Sequence, residues 1–167
     1  MSASAEHLDQ LILDLLSYSG LNRTEIQLET ISLTAIVERV VNELNLELDT
    51  KQAEILIESS LPIVKAQRSI LKQVIINLVS NAIKFVEPGE TPRISIWGEE
   101  GLVNQFETET QWVRLWIEDN GIGISPQHQD RIFQAFERLH GIEAYPGTGI
   151  GLAIVKRGVE RMGGRVG

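Results

Sequence analysis

One stretch, Leu71 to Phe85, constrains the fold of this chain more than any other. Its apolar side chains recur at three- and four-residue intervals, which predicts a helix with a continuous apolar face. Further apolar residues occupy much of the remaining surface, so we expect the helix to be largely buried. Three polar residues, Asn77, Asn81 and Lys84, nevertheless follow one another at helical spacing. Because buried amides and ammonium groups are costly without partners, this stripe predicts a polar ligand or surface against the helix.

Composition limits the classes of protein to which the chain can belong. Its 167 residues suffice for one domain with a sizeable core, or for a domain with an appendage. It has no cysteine, which excludes disulfides and thiolate metal sites and is compatible with a reducing compartment. The net charge of −8 argues against general nucleic-acid binding, and no apolar run reaches the length of a membrane span. A polyanionic ligand would therefore need local cations or a metal ion.

The first residues have the pattern of a helix that stands apart from the rest. Ser4 to Ser19 is amphipathic, with a leucine-rich stripe for which we expect a partner helix outside this chain. The polar residues expected to face away from this stripe are Glu6, Asp9, Gln10 and Asp14. A break follows at Gly20 to Arg23, and we place a domain boundary near Leu21.

The middle of the chain alternates between strand and helix patterns. A short strand is predicted near Ile26 to Ile31, and a helix from Ser32 or Thr34 to about Leu48. Glu54 to Ser59 and Val64 to Ala66 have strand patterns, and they precede the polar-striped helix, which is predicted to run from about Ser69 to Phe85.

Two alternating segments after that helix predict an antiparallel pair of strands. They are Arg93 to Gly98 and Trp112 to Asp119, joined by a polar, variable loop at Glu99 to Gln111. Trp97, Trp112 and Trp116 fall on one face and predict an aromatic cluster on the outer side of the sheet. Asp119 falls at the end of the buried face.

Glycine-rich turns frame a long connection. Gly121 and Gly123 follow Asp119, a short helix is predicted at Ser125-Pro126, and Gly147, Gly149 and Gly151 open a helix from about Leu152 to Met162. Long connections of this kind often act as lids, and amides from Gly149 onward are placed to bind an anion. Taken singly, each feature has a structural alternative: a glycine turn can serve backbone geometry, Asp119 can cap a turn, and Asn77 and Asn81 can bind backbone.

Taken together and in their order along the chain, however, four motifs resemble those of one family. They are Asn-x-x-x-Asn-Ala-x-Lys-Phe, Glu-Asp-Asn-Gly-Ile-Gly-Ile, Ile-Phe-x-x-Phe-x-Arg and Gly-Thr-Gly-Ile-Gly-Leu-Ala-Ile-Val. Together they resemble the ATP-binding catalytic domain of sensor histidine kinases, in the superfamily of DNA gyrase B, Hsp90 and MutL. The resemblance covers about Leu28 to Gly167. The sequence of the lid is similar to that of phytochrome-type and cyanobacterial kinases.

The resemblance implies a fold and a division of the chain. The fold is α+β, a two-layer α/β sandwich whose mixed, mostly antiparallel sheet has helices on one face. Residues 1–21 resemble the second helix of a dimerisation and phosphoacceptor hairpin. Residues 22–167 then form the ATP-binding domain, with the last strands of the sheet missing after Val166.

The resemblance also implies roles for individual residues in a site for ATP and Mg²⁺. By position, Asn81 matches the Mg²⁺ ligand and Asn77 the asparagine that supports the metal–phosphate site. Lys84 matches a phosphate-binding lysine, Arg138 a lid cation offered to the terminal phosphate, and Asp119 the carboxylate that accepts from the adenine amino group. The backbone positions implied in nucleotide binding are Gly121 and Gly123 beside the base and, around the lid hinge and phosphate turn, Gly147, Thr148, Gly149, Gly151 and Leu152.

Asn77 favours one reaction over another. The superfamily's ATPases carry a water-activating glutamate at this position, and an amide is a poor general base. We therefore expect phosphoryl transfer to a histidine rather than hydrolysis, with Asn77, Lys84 and Arg138 as the catalytic residues. The open alternatives are a superfamily ATPase, an anti-sigma-type serine kinase and a nucleotide-binding interaction module.

The kinase interpretation carries expectations about partners. None of His7, His128 and His140 lies in the family's acceptor context, so the acceptor is expected on a hairpin outside this chain. The resemblance implies a homodimer in the full-length protein, a response-regulator receiver domain as the next phosphate acceptor, no nucleic-acid partner and a cytoplasmic location.

Overall fold

A computed structural model describes residues 3–23, 25–105, 108–139, 145 and 147–167 of the chain. The described α-helices are α1 (Ala3–Arg23), α2 (Leu33–Glu43), α3 (Asn45–Lys51), α4 (Arg68–Lys84) and α5 (Gly151–Arg161). The described strands are β1 (Glu29–Ser32), β2 (Glu54–Ile57), β3 (Ile63–Ala66), β4 (Arg93–Gln105) and β5 (Thr108–Asp119). A 3₁₀ helix, Pro126–His128, lies between β5 and α5 and begins where Ser125-Pro126 predicts a short helix.

The strands form a mixed sheet and a separate ladder. The sheet has the order β2-β4-β5, in which β2 pairs parallel to β4 and β4 pairs antiparallel to β5. β1 and β3 form an antiparallel pair beside it. Ile94 and Ile96 of β4 are buried in the same cluster as residues of α2 and α4, so these helices cover one face of the sheet. The predicted α+β sandwich is confirmed.

α4 is the central helix, and it lies between two apolar clusters. Ile75 and Val79 have no exposed surface and belong to the main core with the sheet and α2. Val74, on another side of α4, packs with Ile154 and Val155 of α5 in a second cluster. Burying an aliphatic side chain of this size contributes roughly 1.5 to 3 kcal/mol. Apolar contact on two sides therefore fixes the direction in which the remaining, polar side of α4 faces.

The helix predicted to run to Leu48 is instead two helices. α2 begins as predicted, with the Ser32 hydroxyl accepting from the Ala35 amide at 3.3 Å. It ends at Glu43, and the next residue, Leu44, has a φ and ψ of −90° and 8° that interrupt the helix before α3. Asparagine, a poor residue for helix interiors, occurs on both sides of this break. Leu48 is still buried in the main core, so the apolar pattern predicted burial correctly but missed the break.

The polar loop predicted between the two tryptophan-rich segments is wrong. β4 and β5 stay paired in this region, from Glu99 opposite Arg114 to Gln105 opposite Thr108. Leu102 is 66% exposed, which shows that this part of the hairpin extends beyond the core. The sequence of this segment lacks the alternating apolar residues that are typical of a half-buried strand, and so it does not predict the pairing.

The predicted register of the tryptophans is confirmed. Trp97 and Trp116 are cross-strand partners whose rings stack with centroids 5.8 Å apart. The Arg114 guanidinium lies 5.0 Å from the Trp112 ring and 5.3 Å from the Trp116 ring. Trp112 also covers Gly101, where an added Cβ would lie 2.4 Å from the indole. Stacking and cation–π contacts thus hold the outer face of the hairpin in one register.

α1 is longer than predicted, and its last turns have a partner within the chain. Tyr18 and Leu21 pack into the second cluster against α5. Leu8, Ile12 and Leu16 remain 59%, 48% and 64% exposed. The expectation that α1 needs an outside partner therefore fails for its C-terminal end, while the leucine-rich stripe is left uncovered. In the described part of the chain, no helix is both long and apolar enough to cross a membrane.

Candidate functional site

The polar stripe of α4 opens onto a groove shared with two other elements. Asn77, Asn81 and Lys84 are half-buried and line this groove together with Asp119 from the end of β5 and Gly151 from the start of α5. The two apolar clusters on the other sides of α4 hold the stripe in this orientation. Residues of three elements, up to 74 positions apart in sequence (Asn77 to Gly151), are thereby brought to one place, as the motifs predict.

Asn77 is oriented by its own helix and faces the start of α5. Its side-chain Nδ2 donates to the Gln73 carbonyl at 2.9 Å, which leaves Oδ1 available on the other side. A Cβ at Gly151 would lie 2.9 Å from this Oδ1. Glycine at position 151 therefore allows the first turn of α5 to approach the amide.

Asn81 has its side-chain amide uncommitted. Among the described residues, the amide has no hydrogen-bond partner, whereas its backbone carbonyl accepts from the Phe85 amide at 2.9 Å. A half-buried amide is costly without a partner, so a ligand in the groove would satisfy it. An amide oxygen is also a hard donor of the kind Mg²⁺ prefers, and the residue present fits the predicted metal ligand.

Lys84 is a partly desolvated cation. Its ammonium lies 4.4 Å from the centroid of the Phe85 ring, and a Cβ at Gly147 would come within 2.7 Å of it. Burial, and next the nearby Arg138 guanidinium, lower the pKa of Lys84, while Glu47 and Asp14 act in the opposite direction. The side chains of Lys84 and Arg138 together favour a bound anion. The folded chain therefore has a local region of positive potential despite its negative net charge.

The lowered pKa of Lys84 predicts that removing its charge has opposite effects on stability and on nucleotide binding. A lowered pKa means that the folded state disfavours the charged lysine, so stability rises as pH increases through the folded-state pKa toward the unfolded value. We expect Lys84→Met to raise the free energy of unfolding at neutral pH by up to about 1 kcal/mol without nucleotide, and to weaken nucleotide binding. Urea denaturation at several pH values measures the first effect. The exposed Lys65→Met is the matched control, and a Lys84→Met variant less stable than the wild type would contradict the prediction.

Asp119 is placed by the register of the hairpin. It pairs with the buried Ile94, so it stands at the end of the covered face of the sheet, as predicted. Its Oδ1 accepts from the Gly121 amide at 2.8 Å, which leaves Oδ2 for a ligand. A Cβ at Gly121 would lie 2.6 Å from both this carboxylate and the Phe85 carbonyl. Gly121 therefore lets the turn lie directly against the end of α4.

Asn120 has a positioning role that the sequence analysis missed. Its Oδ1 accepts from the Arg93 amide at 2.7 Å, and its Nδ2 donates to the Thr91 carbonyl at 3.0 Å. These bonds tie the end of β5 to the start of β4 and so fix the strand end that carries Asp119. An asparagine directly after a strand is a turn signal that could have indicated this role.

The lid arginine is held by the lid itself. The Arg138 guanidinium donates to the Tyr145 carbonyl at 2.8 Å and to the Gly147 carbonyl. Gly149 has a φ of 74°, and its carbonyl accepts from the Phe136 amide at 2.9 Å. Arg138 thus lies beside Lys84 in the groove, with its orientation set by the backbone just before α5.

The start of α5 lies near these cations. Among the described residues, no side chain caps its N-terminus, so its first amides are available to an anion. The Thr148 hydroxyl oxygen accepts from the Ile150 amide at 3.4 Å and its hydrogen is donated to Asp14 of α1. Leu152 packs in the second cluster, and Gly123, with a φ of 71°, follows the Asp119 turn.

The three histidines differ in what the structure describes. His7 lies on α1, and His128 has its Nδ1 2.9 Å from the Ser125 hydroxyl. Neither lines the groove. His140 lies outside the described residues.

In this two-layer sandwich, the amide stripe of the central helix faces an acidic strand end, glycine turns and a helix N-terminus. This is the architecture of a nucleotide-binding domain. The family model described as "Histidine kinase-, DNA gyrase B-, and HSP90-like ATPase" matches residues 66–167, and the chain belongs to this family. The predicted membership is confirmed.

Relatives of this chain are histidine kinases. Phytochrome-like protein Cph1 of Synechocystis sp. is 38% identical over 156 residues, which cover 93% of this chain and 20% of that protein. Full-length ShkA in complex with AMPPNP has a TM-score of 0.73 at 29% identity, covering 96% of this chain and 32% of that one. The nucleotide-free catalytic domain of histidine kinase ThkA has a TM-score of 0.61 at 26% identity, covering 80% and 82%. The chain spans about a fifth of the length of Cph1 and of two cyanobacterial phytochromes of Nostoc sp. that it also matches.

Proposed function

We propose that the chain binds ATP with Mg²⁺ as the catalytic part of a sensor histidine kinase and directs the terminal phosphoryl group to a histidine on a dimerisation hairpin. Asn77 carries this proposal. It occupies the position at which the superfamily's ATPases hold a water-activating glutamate, and its Nδ2 is committed to the Gln73 carbonyl. An amide cannot take a proton from water at neutral pH, so the site favours retaining ATP until a better nucleophile arrives.

Each residue of the groove has a role in this proposal. Asn81 would hold the Mg²⁺ and Asn77 would support the phosphate beside it, while Asp119 orients the adenine. Bound Mg²⁺ would neutralise charge that develops on the phosphate oxygens. Lys84, Arg138 and the first amides of α5 surround the same region with positive potential and orient the phosphates. Transfer then depends on positioning and charge stabilisation rather than on a protein base.

The proposal extends to the division of the chain and to its partners. Residues 1–21 would be part of the hairpin and residues 22–167 the catalytic domain. The acceptor histidine would belong to the same full-length protein, which would be a homodimer. A receiver domain of a response regulator would take the phosphate next. The cytoplasm, where ATP is abundant, is the proposed location.

A phosphorylation assay with an added acceptor hairpin tests the proposal. The chain, labelled ATP, Mg²⁺ and the acceptor hairpin of the full-length protein should give acid-labile label on the hairpin, because phosphohistidine is acid-labile. A hairpin whose acceptor histidine is replaced by alanine is the control and should stay unlabelled.

Other outcomes identify the alternatives. Steady ATP hydrolysis by the chain alone would favour a superfamily ATPase. Acid-stable label on a serine would favour a serine kinase. Nucleotide binding by calorimetry, without hydrolysis and without label on any acceptor, would favour a nucleotide-binding interaction module.

A further inference from the structure

One face of α1 is turned toward the nucleotide groove. Asp14, Tyr18 and Leu21 follow at helical spacing, and the last two pack against α5 in the second cluster. The exposed Leu8, 59% accessible, does not share this face. Asp14 and Gln10, which were predicted to face away from the leucine-rich stripe, both line the groove with Lys84 and Thr148.

Both oxygens of the Asp14 carboxylate have donors. Oδ1 accepts from the Gln10 side-chain Nε2 at 2.8 Å, and Oδ2 accepts from the Thr148 hydroxyl. The carboxylate also acts on Lys84, where it opposes the lowering of the pKa by burial. α1 thus contributes a fixed negative charge to the place where a cation, a hydroxyl and free helix amides converge.

A phosphate group needs the same donors. A threonine hydroxyl has a single hydrogen to donate, and the Thr148 hydrogen is donated to Asp14. A phosphate oxygen that took this hydrogen would displace the carboxylate, and the two anions would also repel each other in a half-buried site. Asp14 and a bound phosphate are therefore mutually antagonistic.

We propose that Asp14 is an intramolecular competitor of the nucleotide phosphates, so that docking of α1 through Thr148 weakens nucleotide binding and nucleotide releases this contact. The proposal rests on the proposed nucleotide-binding function. Binding and docking are coupled in both directions, because a ligand that loosens α1 must bind more tightly when α1 is already loose. A partner that binds the exposed leucine stripe of α1 would set the position of this helix. The position of α1 would in turn change the affinity of the site for nucleotide.

Calorimetric titration with Mg-ADP tests the competition. Asp14→Ala should bind Mg-ADP roughly five- to tenfold more tightly than the wild type, at the lower end of the usual range of coupling between sites. Asp14→Asn should bind more tightly by a smaller factor, because its amide oxygen still accepts from Thr148 without the charge. Asp9→Ala, an exposed acid on the same helix, should match the wild type. Equal or weaker binding by Asp14→Ala would overturn the proposal while leaving nucleotide binding established.

Hydrogen exchange of the α1 amides gives an independent readout. Saturating Mg-ADP should speed exchange around residues 10–18 in the wild type, whereas Asp14→Ala should exchange quickly with or without it. Slower exchange on adding nucleotide would mean that Asp14 closes the site over its ligand, which contradicts competition. If neither the wild type nor any variant binds Mg-ADP, the proposed function itself fails, and this inference fails with it.

Discussion

Replacing Asp119 with asparagine should weaken ATP binding by roughly 30- to 150-fold while leaving the fold intact. Hydrogen bonds to charged groups contribute up to about 3 kcal/mol, and this fold-change corresponds to about 2 to 3 kcal/mol. Oδ1 of Asp119 already accepts from the Gly121 amide, so Oδ2 is the atom that the proposal offers to the adenine amino group. An asparagine whose Oδ1 keeps the bond from the Gly121 amide must turn its own NH₂ group toward the adenine amino group. Two hydrogen-bond donors would then face each other.

Base selectivity and a neighbouring control sharpen this experiment. Guanine has a carbonyl where adenine has its amino group, so Asp119→Asn should narrow the difference between ATP and GTP in calorimetric titrations. Glu118→Gln makes the same chemical change one position earlier, on the opposite, exposed face of β5. It should bind ATP like the wild type. If both variants lose affinity equally, Asp119 has no specific contact with the base.

The elements that the sequence predicted well are those whose pattern matches a single packing environment. α4 was predicted within one residue of its observed ends, because its apolar positions face two cores and its polar positions face the groove. The position of Asp119 at the end of the covered face was predicted correctly, because alternate residues of a strand share a face. The buried Ile94 and Ile96 of β4 pair with Asp119 and Ile117 on that face of β5. Periodicity is a reliable guide where burial on both sides enforces it.

The features that were missed depend on contacts that no local pattern carries. The extended part of the β4–β5 hairpin is paired, but its polar sequence has no alternation of apolar residues that would predict this pairing. The bond between Asp14 and Thr148 joins residues 134 positions apart, and an aspartate on a helix normally indicates a solvated face. Arg138 was expected to be offered to phosphate. The structure shows which backbone carbonyls hold it, and this depends on the path of the lid.

The arrangement of charge explains how an acidic chain can serve an anionic ligand. Burial disfavours the charged form of Lys84, and the nearby Arg138 guanidinium adds to this cost. In the free protein Asp14 and Glu47 partly offset the cost. In the proposed site, the free protein thus keeps Lys84 partly balanced by its own carboxylates, and a nucleotide would gain affinity only for the surplus over those contacts.

Asn81→Ala should remove the dependence of nucleotide binding on Mg²⁺. In the proposed site the Asn81 amide oxygen is the protein's ligand to the metal, and the amide has no other hydrogen-bond partner in the described chain. Losing groups that merely orient a metal ligand typically costs 10- to 100-fold in affinity, so we expect a loss of roughly 100-fold for Mg-ATP. Because nothing else depends on this side chain, the free energy of unfolding without nucleotide should change little.

Titrations with Mg²⁺ and with a chelator separate metal binding from nucleotide binding. The wild type should bind ATP far more tightly with Mg²⁺, whereas Asn81→Ala should bind it weakly and equally in both conditions. Asn42→Ala, the same change at an exposed position of α2, should keep the Mg²⁺ dependence of the wild type. A strong Mg²⁺ effect that survives in Asn81→Ala would show that another group holds the metal, since the ion would then bind without its proposed protein ligand.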